Sequence, residues 1–137
     1  MFNLFKKNSE DASQPRQGWF WVLTLGAYPG PRSNPSWTDI ENGLRNLIQD
    51  SDSFLILEQK DPANPKCYWF IQCAIALQGP CAGQYSLEVG YKGADGKGHL
   101  LDRTLPRLDQ VLPYFNLAFS GKKLDLSGFE DMSDMVQ

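Results

Sequence analysis

The stretch that decides the fold is "KCYWFIQCAIALQG", residues 66–79, the most apolar run in the chain. A strand with one face in water alternates apolar and polar side chains. Here Gln72 is the only strongly polar residue between Cys67 and Leu77. The run is short, aromatic and bounded by turn chemistry: "KDPANPK" (60–66) before it and "GPCAG" (79–83) after it. It therefore reads as a strand in the centre of a sheet, partly covered on both faces, with the chain reversing at either end.

Working outward, "FLILEQ" (54–59) and "QYSLEVGYK" (84–92) read as the neighbouring strands. In the second of these Tyr85, Leu87, Val89 and Tyr91 share one face, which leaves Glu88 on the other. "GADGKG" (93–98) contains Asp95-Gly96, a strong hairpin signal, and "HLLDR" (99–103) reads as a short returning strand. Upstream, "GWFWVLTLG" (18–26) is rich in aromatic and branched residues and reads as a first strand, followed by the Pro-rich loop "AYPGPRSNPS". A helix follows, capped either by Thr38 with Glu41 or by Ser36 with Asp39. Its apolar stripe is Ile40, Leu44, Leu47 and Ile48. A second helix is expected over 107–119 on the face of Leu108, Val111, Leu112, Phe115 and Phe119. Pro113 moves its expected start toward 111, and Gly121 ends it. The order β-α-β-β-β-(β)-α predicts an α+β fold: a mostly antiparallel sheet of four to five strands with two helices packed on it. Residues 1–17 read as a flexible lead, 18–121 as a single domain and 122–137 as an acidic tail, with four acids and no base in "LDLSGFEDMSDMVQ".

Composition narrows the function. The chain has 137 residues, net charge −3 and no basic stripe, so nucleic acid is not an expected partner. No apolar stretch is long enough to span a bilayer, and the N-terminus lacks the apolar core of a secretory signal. A cytoplasmic protein without membrane association is expected. Three cysteines, with no C-x-x-C, predict reduced thiols and no zinc site. Cys67 and Cys73, six positions apart on one strand, lie roughly 20 Å apart. His99 is the only histidine, so any Cys81–His99 chemistry requires tertiary convergence; a solvent-facing hairpin-end histidine is the simpler reading. "GADGKG" lacks the spacing of a phosphate loop. No catalytic residue, metal or cofactor is therefore predicted.

The polar residues of the central strands point instead to recognition. Glu58, Gln72 and Glu88, with Tyr68 and Phe70 in phase with Gln72, form a mixed polar and aromatic surface of the kind found at interface hot spots. The competing reading places helices over this face and Gln72 in a hydrogen-bonded core. Trp37 reads either as a staple at the start of the first helix or as an exposed anchor.

The skeleton resembles bacterial immunity proteins of polymorphic toxin systems. The resemblance is carried by Phe54 to Glu58, Tyr68 to Gln72, Leu87 with Glu88, and the terminal helix from Val111 to Gly121, and covers roughly residues 36 to 121. Pro113 and the long "YPGPRSNPS" loop depart from the pattern. The resemblance implies a cytoplasmic, non-catalytic protein, monomer or homodimer, that neutralises a cognate toxin by occluding its active or functional surface. A basic toxin such as a nuclease would suit the net negative charge. On this reading Glu58, Asp61, Tyr68, Gln72 and Glu88 form the partner-binding surface, and the acidic tail, Asp125 to Asp134, is the second candidate, the competing reading being a solvated, fraying terminus. The alternative is a secretion chaperone or adaptor that binds an effector segment.

Overall fold

The computed structural model describes residues 20–26, 30–60, 69–92 and 96–133. Its elements, in chain order, are β1 (Phe20–Leu25), β2 (Arg32–Ser33), α1 (Trp37–Arg45), β3 (Phe54–Lys60), β4 (Trp69–Ile75), β5 (Tyr85–Lys92), β6 (Gly98–Leu105), α2 (Leu108–Phe119) and β7 (Glu130–Asp131). They form an α+β fold around one antiparallel sheet of seven strands in the order β2-β1-β3-β4-β5-β6-β7. The apolar run of residues 66–79 thus supplies the middle strand, β4, paired on one side with β3 and on the other with β5.

The sheet is wider than the four to five strands expected. The two additional strands, β2 and β7, contribute two residues each, one at either edge. β2 lies inside the Pro-rich loop and pairs Ser33 with Val22 and Arg32 with Leu23. β7 lies in the acidic tail and pairs Asp131 with Leu101 and Glu130 with Asp102. β6 also runs to eight residues, longer than the five read as the returning strand.

Alternation along the strands divides the sheet into two faces. Trp21 and Leu23, Leu55 and Leu57, Ile71 and Cys73, Leu87 and Val89, and Leu105 point to one side. There they meet Ile40 and Leu44 of α1 and Val111, Phe115 and Ala118 of α2 in a single buried cluster. Burial of such side chains is worth roughly 1.5–3 kcal/mol each, and this layer supplies most of the drive to fold. The helices adjoin one another, with Trp37 of α1 tilted against Phe119 of α2 at a ring separation of 6.4 Å. Trp37 is therefore a half-buried contact between helices.

The helix ends follow local chemistry. Ser36 caps α1, its hydroxyl accepting from the Asp39 N–H at 3.1 Å while the Ser36 N–H donates to the Asp39 carboxylate at 2.9 Å. Of the two registers legible in the sequence, the Ser36–Asp39 box forms. α1 stops at Arg45, short of the whole apolar stripe: Ile40 and Leu44 are buried, while Ile48 is 59% exposed. α2 begins at Leu108, not near 111, and keeps Pro113 in its interior. A proline there removes the bond to the carbonyl four residues back. That carbonyl belongs to Asp109, and both residues are exposed, so water can replace the missing donor. Gly121, at φ 74°, ends α2 with Lys122 N–H bonded to the Leu117 carbonyl at 2.9 Å and Gly121 N–H to Ala118 at 3.0 Å, the Schellman arrangement.

After α2 the chain returns across β6. Leu124 is buried, Leu126 and Phe129 pack against the core, and the Phe129 ring meets Tyr114 edge-on at 5.4 Å. No helix among the described residues is long and apolar enough to cross a membrane.

Candidate functional site

Both described helices pack on one face, so among the described residues the other face of the sheet carries no helix. The pairing registers lay out its side chains in rows across the strands. One row runs Thr24, Ile56, Gln72, Glu88, Asp102, Glu130. The next runs Ser33, Val22, Glu58, Phe70, Gly90, Leu100. A third places Phe54, Ala74, Ser86 and Thr104 side by side. Most of these residues are partly exposed, and Val22 is buried although it lies outside the core cluster.

The middle of this face is shaped by a glycine. At Gly90 a Cβ would overlap the Phe70 ring, so the absence of a side chain on β5 makes room for the aromatic from β4. Phe70, Ile56 and Leu100 then make an apolar centre flanked by polar groups. Gln72, unresolved between core and surface on sequence grounds, belongs to this face and donates from Nε2 to Oε1 of Glu88. Its amide spans the β4–β5 pair and fixes the Glu88 carboxylate.

The electrostatics are one-sided. Glu88, Asp102 and Glu130 are directly opposite one another on three successive strands, and no lysine or arginine stands in their row. Burial, then the Glu130 charge, push the Asp102 carboxyl above the usual carboxylate range, while hydrogen bonds from Ser86 and the Arg103 backbone pull it down. One of its oxygens, Oδ1, is buried without a hydrogen-bond partner among the described residues. Cations sit at the margin: Lys60 pairs with Glu58 at 3.4 Å, and Lys92 ends β5.

Of the five residues singled out from the sequence, Glu58, Gln72 and Glu88 fall together on this face. Asp61 and Tyr68 lie outside the described residues. Sequence reading missed Asp102, and it named Glu130 only within the acidic tail, not as a member of the same row. Asp102 was available from phase: it alternates with Leu101 and Arg103, which share a face with the core residues Val89 and Leu87. Glu130 offered no such signal, because a two-residue strand has no periodicity.

The chemical alternatives come apart in space. Cys81 lies in the turn before β5, whereas His99 pairs with Tyr91 near the far end of β5, six residues beyond Tyr85 and so roughly 20 Å away along the strand. His99 is half-buried and stacked on Tyr91 at 5.0 Å, not a solvent-facing hairpin end. Burial pushes the Cys73 thiol up to about 12, which suppresses its nucleophilic form. Among the described residues no three His, Cys, Asp or Glu side chains are placed to hold a metal ion. A cleft of about 510 Å³ lies elsewhere, between α1 and the ends of β1 and β3, lined by Leu25, Asn42, Asn46, Leu47, Asp52 and Phe54. Its one close ion pair, Arg32 with Asp39 at 2.9 Å, secures the start of α1.

Compared with protein-family models, with curated proteins and with solved structures, the chain matches none.

Proposed function

We propose that this chain is a non-catalytic binding protein that docks a basic protein partner on the open face of its sheet, in the manner of an immunity protein occluding a toxin. The observation that supports this reading is the placement of both helices on one face. The opposite face keeps an aromatic and aliphatic centre, Phe70, Ile56 and Leu100, beside Glu58, Glu88, Asp102 and Glu130. An apolar centre excludes water and supplies affinity, while surrounding charges steer encounter and select against partners of like sign. Acids without a base in their row make the fitting partner one that presents arginine or lysine around an apolar contact. Glu58, Gln72 and Glu88 are the contact residues in this proposal, joined by Phe70 and Asp102.

The test uses the protein encoded by the adjacent open reading frame as the probe. It is expected to bind one-to-one, with an affinity that falls steeply with added salt. Phe70→Ala combined with Glu88→Arg should weaken binding by about thirtyfold or more, the loss typical of a hot-spot pair. A control pair on another surface, Ile48→Ala with Leu77→Ala (59% and 48% exposed), should leave affinity unchanged. Equal losses from both pairs, or none from the first, would refute this assignment of the surface.

A further inference from the structure

We infer that the outer edge of β6, centred on Asp102, is a strand-addition site for an extended, arginine- or lysine-bearing segment of the protein partner, and that β7 occupies this edge in the free chain. The inference rests on the binding role proposed above and names the chemistry of the partner segment that meets this margin of the open face.

Three observations carry it. First, β6 is eight residues long, and among the described residues β7 bridges it at two positions, Leu101 and Asp102. Strand edges present rows of N–H and C=O groups, and extended peptides extend sheets by pairing with them. Second, the attachment of β7 is local. Among the described residues it consists of the two paired residues, a bond from Met132 N–H to the Leu100 carbonyl at 2.7 Å and one from Leu100 N–H to Ser133 Oγ at 3.3 Å. Glu130 and Asp131 are both exposed. The apolar anchors of this segment, Leu124, Leu126 and Phe129, all precede it, so residues 130–133 can leave the edge without opening the core.

Third, the charge at this edge has the wrong sign for a permanent occupant. Asp102 faces Glu88 and Ser86 from β5 and Glu130 from β7, and among the described residues no helix covers this side. Like charges directly opposite one another across strands are destabilising, whereas opposite charges stabilise. Burial and the Glu130 charge both hinder ionisation of Asp102, and its Oδ1 is enclosed without a partner among the described residues. A partner strand with a cation in the register position of Glu130 would remove the repulsion and supply the missing donor. The edge is also continuous with the open face, since Asp102 and Glu130 extend the row of Gln72 and Glu88.

The experiment uses the ¹⁵N-labelled full chain and two blocked peptides of alternating Thr and Val, one with a central arginine and one with a central glutamate. The arginine peptide should shift the amide signals of Leu100 and Asp102, release those of residues 130–133, and bind about threefold more tightly than the glutamate peptide, the factor a cross-strand charge pair commands. Glu130→Lys, an exposed substitution that gives β7 its own cation, should weaken arginine-peptide binding by a similar factor. Equal binding of the two peptides, shifts confined to other strands, or no shift with either peptide would overturn the inference. Any of these results would leave the face reading to its own test, for which Phe70→Ala alone serves, since β4 lies two strands from β6.

Discussion

On its helical side the sheet presents Leu55, Leu57, Ile71, Leu87 and Val89, all fully buried. On its other side the same three strands present Ile56, Glu58, Phe70, Gln72 and Glu88, each only partly covered. The two sets alternate along the same backbone, so strand propensity cannot distinguish them; what lies above each face does. Beneath the helices, shape and apolar area decide whether the chain folds at all. On the open side, polar groups and an aromatic ring are tolerated because water still reaches them.

Mutations should separate the two faces by size of effect. The largest loss is expected at Phe115, fully buried on the core side of α2: Phe115→Ala should cost about 3–5 kcal/mol in denaturant unfolding. Gly90→Ala comes next. Its Cβ would displace the Phe70 ring and cost about 1–3 kcal/mol, an overpacking penalty on the open face, accompanied by loss of partner binding. Phe70→Ala should cost no more than about 1.5 kcal/mol, because part of the ring is already in water, yet it should weaken binding far more than its stability cost would suggest. If it destabilised the chain as much as Phe115→Ala, the distinction between the faces would fail. Ser36→Ala removes the α1 cap, belongs to neither face, and should cost about 1 kcal/mol with binding unchanged.

The smallest effect carries the sign of the open-face charge. Asp102 has a raised carboxyl in the folded chain, so the folded state binds its proton more tightly than the unfolded state does. Its contribution to stability is complete at pH values below the unfolded carboxylate range and is lost as pH rises through the raised value. Asp102→Asn should therefore flatten the stability–pH profile in the acidic range and stabilise the chain at pH 7 by about 0.5 kcal/mol. Melts from pH 3 to pH 7 would check it, and a stability that fell on substitution at pH 7 would contradict the repulsion described here.

Much of this architecture was legible before the structure. The uninterrupted apolar run around Gln72 marked the central strand, and the alternation of Tyr85, Leu87, Val89 and Tyr91 placed Glu88 on the face away from the core. The face carrying Gln72 was not legible, because helices of either hand of approach satisfy the same strand pattern. The edges were hidden for a different reason: Arg32–Ser33 and Glu130–Asp131 are held by backbone pairing alone, which leaves no side-chain period. Pro113 misled the start of α2, since its cost is met by an exposed Asp109 carbonyl that sequence cannot show to be hydrated. The apolar Ile48 misled the end of α1 for the converse reason: an apolar side chain can simply remain in solvent.

The most direct measurement is a calorimetric titration of the adjacent reading frame's product into the wild-type chain and into the Phe70→Ala, Glu88→Arg variant, with thermal melts of both to show that each is folded. One-to-one binding weakened about thirtyfold or more in a folded variant is the predicted result. Undiminished binding by a folded variant would contradict the claim that the uncovered side of the sheet meets the partner.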